Sequence, residues 1–100
     1  MKIEVIARPS GQAPEWVRDA WIGIQLEAKR DNPEGTIYLG VLGGKASQDN
    51  IGGYRVNGGK AMKVLTDKNP KAAQWWNDND SFVFLGDLVF GAKFCKVIEP

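Results

Sequence analysis

The chain has 100 residues, 43% of them hydrophobic and 25% charged, which is enough apolar material for one soluble domain to fold without disulfides or metal. Thirteen Lys plus Arg against 12 Asp plus Glu leave a net charge of +1, so no global field drives the chain onto nucleic acid or an anionic membrane. Histidine is absent, which removes His-based acid–base catalysis, Ser-His-Asp and Cys-His nucleophilic sites, and His-containing zinc sites.

The single Cys95 has no partner for an internal disulfide, which suits a reducing compartment. The N-terminal stretch Met1–Ile6 carries Lys2 and Glu4 where an export signal would be apolar, and no cleavage pattern follows. No run approaches the roughly 20 apolar residues of a spanning helix. A cytoplasmic protein with no membrane contact is the expectation.

Lys2–Arg8 alternates, with Ile3, Val5 and Ala7 on one face and Ile6 as the exception, and predicts a half-buried strand. Residues 9–14 form a loop by composition. Glu15–Ala20 fits a single helical turn with Trp16 and Val17 inward, and fits a short strand or irregular loop nearly as well. From Trp21 the period is 2, with Ile22, Ile24, Leu26 and Ala28 on one face and Gly23 marking a bulge or close approach. Lys29–Gly35 has the composition of an exposed polar hairpin loop.

Thr36–Leu42 predicts another strand, with Ile37, Leu39 and Val41 on one face and Tyr38 and Leu42 partly covering the other. Lys45–Gly53 has no period and predicts a mobile loop, and Tyr54–Val56 a short strand. The period then changes. Ala61, Met62, Val64 and Leu65 follow helical spacing, predicting a helix over about 59–67.

Asn69 and Pro70 predict the start of a second helix over about 70–78, because Asn can cap the free N–H groups and Pro fits the first position. Ala72, Ala73, Trp75 and Trp76 lie at neighbouring helical positions. Isolated helices shorter than ~12–15 residues are marginal in water. This pair must therefore dock, and the two tryptophans are the adhesive. Phe82–Leu85, apolar on both faces, predicts a central strand, Gly86-Asp87 a tight hairpin turn, and Leu88–Phe90 the returning strand. Lys93–Ile98 continues or restarts it, with Cys95 and Val97 on one face.

The expected fold is mainly β, α+β by count. It is a small, strongly bent antiparallel sheet or SH3-like partial barrel of five to six short strands, with an inserted two-helix hairpin. The SH3-like expectation rests on strand number and size, and such barrels host many functions.

The candidate chemistry is sparse. Gly43-Gly44-Lys45 and Gly58-Gly59-Lys60 lack the glycine spacing and the Ser or Thr of a phosphate loop, and turn chemistry explains them. Asp78-Asn79-Asp80 has calcium-ligand spacing, but Val83 and Val89 occupy the Gly and Glu positions of that loop. Cys95 lies on a strand face with Lys96 pointing away, as a structural cysteine does. No metal or cofactor is implied.

Trp16 and Trp21 form an aromatic pair, one anchoring the loop and the other free to line a surface groove with Tyr38 or Tyr54, near Arg18. The expected function is therefore a non-catalytic binding or interaction module, engaging a protein partner or a second copy of itself. The alternative is nucleic-acid binding through a basic helix face of Lys60, Lys63, Lys68 and Lys71, if an exposed tryptophan lies beside it.

Overall fold

The computed structural model describes residues 1–9, 11, 13–31, 53–80 and 85–100. The predicted strand at Thr36–Leu42, the loop at residues 45–52 and the apolar run at residues 82–84 lie outside them. The described chain is α+β, with two three-stranded antiparallel sheets and three α-helices.

The first sheet has β1 (Lys2–Val5) at its centre, flanked by β2 (Gln25–Glu27) and β6 (Cys95–Glu99). The second has β4 (Gly53–Asn57) at its centre, between β3 (Lys29–Asp31) and β5 (Asp87–Gly91). These pairings make two separate sheets; they do not close one ring of strands.

Two connections join the sheets. β2 and β3 are separated only by Ala28, whose N–H donates to the Met1 carbonyl at 2.8 Å. The chain thus pairs with β1 before Ala28 and with β4 after it. At the other end a 3-10 turn at Ala92–Phe94 carries β5 into β6.

The polar stretch after Ala28 is therefore a strand at first and not the expected loop. Ile24, Leu26 and Ala28 keep their period of 2 and are all buried. Ile22 departs from the expectation. Residues 21–23 form a turn that starts the strand later, Gly23 adopts φ of 91°, and Ile22 stays exposed.

The helical hairpin sits between β4 and β5 as α2 (Gly58–Lys68) and α3 (Pro70–Asn79). Both starts are capped by Asn. The Lys60 N–H donates to Asn57 Oδ1 at 2.9 Å and the Ala72 N–H to Asn69 Oδ1 at 3.1 Å. Ala61, Met62 and Leu65 of α2 and Ala72, Ala73 and Trp76 of α3 are buried in the common core. Trp75 packs against that core, edge-on to Trp76 with ring centroids 5.0 Å apart. Burying one such large side chain is worth roughly 1.5–3 kcal/mol, which is what makes the two short helices stable.

α1 (Glu15–Asp19) is the helical turn, but only Val17 of it is buried. Trp16, expected inward, keeps 50% of its surface. Asp87 opens β5 and pairs with Asn57 instead of serving as a turn residue. β5 finds its described partner in β4 along its whole length, and Leu85 is 85% exposed. Val97 shares the face of Cys95 by register but is 43% exposed, because β6 is the outer strand and its pairing with β1 shifts register beside it.

Gly53 is the tightest point of the second sheet. A Cβ built there would stand 2.6 Å from the Phe90 carbonyl oxygen and 3.0 Å from Val89 Cγ1. The first of these is backbone and cannot swing away. Gly53→Ala should therefore destabilise the fold by about 1–3 kcal/mol, as overpacking does. Asn69→Ala should cost about 1 kcal/mol through the lost cap. Urea unfolding followed by tryptophan fluorescence checks both, and a neutral Gly53→Ala would contradict the close strand approach.

Candidate binding cleft

Where the strand bends between the sheets, its residues 25–29 line one wall of an open cleft of about 660 Å³. Lys2 of β1, Arg55, Val56 and Asn57 of β4, Lys60 and Ala61 of α2, and Asp87 complete it with Met1. Alternation explains the floor. Leu26, Ala28, Val56 and Ala61 are buried core residues that back the cleft, while Lys29, Arg55 and Lys60 are exposed.

The rim is asymmetric in charge. Lys2, Lys29, Arg55 and Lys60 face two carboxylates, Glu27 and Asp87. Asp87 is engaged by Arg55 at 3.5 Å. Lys2, Lys29 and Lys60 form no ion pair with a carboxylate among the described residues. The start of α2 adds little open backbone, since the Gly58 N–H donates to the Gly86 carbonyl at 2.9 Å and the Lys60 N–H to its cap. The positive character of the cleft is thus carried by side chains.

The residues singled out from the sequence are dispersed. Trp21 is fully buried, with its ring 5.2 Å from that of Phe90 at 71°, so it is the anchor of its pair. Tyr54 is buried too, and its hydroxyl accepts from Arg30 Nη1 at 2.9 Å, so it lines no surface groove. Tyr38 lies outside the described residues.

Arg18 is tied inward, donating to the carbonyls of Ala13 at 2.8 Å and Pro9 at 3.2 Å. Among the described members of the group, Trp16 alone keeps a large exposed surface. α1 is held beneath it by the fork of Arg8 on Asp19, with bonds of 2.7 and 3.1 Å. That hydrogen bond, with the Arg8 charge, holds the Asp19 carboxyl below the usual carboxylate range.

The four lysines do not act as one face. Lys60 lines the cleft, Lys63 and Lys71 are exposed, and Lys68 is committed elsewhere. Its ammonium donates to the carbonyls of Ala20, at 3.0 Å, and Ile22, clamping the turn that holds Trp21. Lys2, Lys29 and Arg55 fall in no motif that would mark them from the sequence. The only available signal was the period of 2 running on past Ala28.

Comparison with known proteins adds no relationship: no family model matches the chain, and neither curated proteins nor solved structures show significant similarity to it. Among the described residues no helix is long and apolar enough to cross a membrane.

Cys95 is buried, and burial pushes its thiol from 9.0 up to about 12. The unfolded thiol ionises first, so native stability should fall as pH rises from about 9 toward 12, by up to ~1.4 kcal/mol per pH unit. Urea midpoints across that range should drop less steeply in Cys95→Ala than in the native chain. Iodoacetamide should label the native thiol at pH 8 far more slowly than the unfolded one. Equal rates would place the thiol in solvent.

Proposed function

We propose that this chain is a small non-catalytic binding module for a protein partner, with the cleft between the two sheets and α2 as its docking site. The observation that carries this is the convergence of Lys2, Lys29, Arg55 and Lys60 around an apolar floor. The volume, about 660 Å³, lies within the ~300–1,000 Å³ usual for ligand sites. The absence of histidine and the buried, protonated Cys95 leave no nucleophile–base pair of the common kinds, which favours binding over catalysis.

The scaffold we propose is an SH3-like partial barrel, with the two sheets as its halves. Support comes from the strand that serves both sheets and from the 3-10 turn that returns the chain to β1. The helical hairpin would then be an insertion between two strands of the second half. Its role is to wall the cleft through Lys60 and Ala61.

Nucleic-acid binding through the helix face is the weaker alternative. It retains Lys60, Lys63 and Lys71 but loses Lys68 to backbone carbonyls. Trp75 and Trp76, the stacking surface it needed, are packed against and within the core.

Site-specific photo-crosslinking checks the docking site. A photoreactive residue at position 29 should trap one discrete protein in cells that make this chain, and the same group at position 71 should not. Adducts from both positions alike, or none from position 29, would remove the cleft as the docking surface.

A further inference from the structure

Resting on the cleft as docking site, we infer that it selects an acidic, extended peptide segment, one that alternates carboxylates with small or branched apolar side chains. Three features of the cleft point to this chemistry together. The floor is backed by the apolar core residues Leu26, Ala28, Val56 and Ala61, each at most 7% exposed, so it presents no polar side chain and suits small aliphatic groups. The rim carries Lys2, Lys29 and Lys60, with no ion pair to a described carboxylate, so each has charge to offer a ligand. Arg55 and Asp87 already satisfy each other at 3.5 Å, which leaves the lysines as the source of selectivity.

The same features disfavour a nucleic-acid strand. Among the described residues no aromatic side chain lines the cleft, so they offer bases no stacking platform. Trp16, half-exposed on α1, is not among its lining residues. The net charge of +1 gives no long-range attraction for a polyanion, so recognition depends on short-range contacts at this rim. Glu27 on the rim would repel a continuous row of phosphates, whereas a peptide can place an apolar residue opposite it.

Charge reversal provides the test. A fluorescein-labelled peptide of about eight residues alternating Glu and Leu should bind the native chain, and weaken as salt rises from about 50 to about 300 mM. The double variant K29E/K60E should lose roughly tenfold or more in affinity for that peptide. It should gain affinity for the matching peptide of alternating Lys and Leu. Both side chains are exposed, and a glutamate at position 60 sits favourably in the first turn of α2. Circular dichroism and the urea midpoint should confirm that the variant is folded.

Failure of the acidic peptide to bind, indifference to the double reversal, or preferential binding of an oligothymidylate at the same rim would overturn the inference. Crosslinking from position 29 that persists while the acidic peptide fails would reject the ligand class and keep the docking site. Loss of both would reject the site as well.

Discussion

A single strand serves two sheets, and the rest of the molecule is arranged around the residue where it turns. Ala28 is the hinge. On one side Leu26 lies opposite Ile3, and on the other Arg30 lies opposite Tyr54. Its N–H is bound by the Met1 carbonyl, so the bend leaves no orphaned donor at the corner. Because Ile24, Leu26 and Ala28 keep their alternation through it, both sheets turn their apolar faces to the same core. A slip of one residue would send all three outward and undo both pairings at once. The cleft is the outer consequence of the same bend, since the walls diverge where the partners change.

The helical hairpin completes the core that the two small sheets leave open. Its buried side is assembled from Met62, Leu65, Ala72, Ala73 and Trp76. Lys68 then joins the end of α2 to the turn at residues 21–23, through carbonyls that a strand ladder does not use. Trp21 is locked from both directions, by Phe90 at its ring and by this clamp on its backbone. The indole N–H groups of Trp21 and Trp76 have no acceptor among the described residues.

Local chemistry was legible from sequence where it is decided locally. The Asn69-Pro70 start predicted α3 to within a residue at each end, because cap and ring both act over one turn. The change of period at residues 57–59 locates α2 in the same way, although the glycines beside Asn57 mask its capping role. The alternating faces of β1 and of residues 24–28 also appear as written. Legibility failed where neighbours distant in sequence decide. Lys29–Asp31 has a polar composition, and only pairing with β4 makes it a strand. Trp16 and Val17 are equally apolar on paper, and the docking of α1 chooses the valine. Spacing does not say which of Trp16 and Trp21 is the anchor, and Tyr54, expected at a groove, lies in the core. The cleft was invisible because its lysines come from β1, β3 and α2, which no spacing rule connects.

The order of pairing along the chain has a kinetic meaning. β1 pairs with β2 across 21 to 25 residues, and β4 with β5 across 30 to 38 with the helical hairpin folded in between. β1 and β6, by contrast, bring Lys2 opposite Glu99 and Val5 opposite Cys95 across nearly the whole chain. The loop entropy of that pairing must be met before its hydrogen bonds repay it, which sets it late in folding. The shorter-range pairings thus form earlier, and β6 zips onto β1 last. Until it does, one edge of β1 stays unpaired and the first sheet has only two of its three strands.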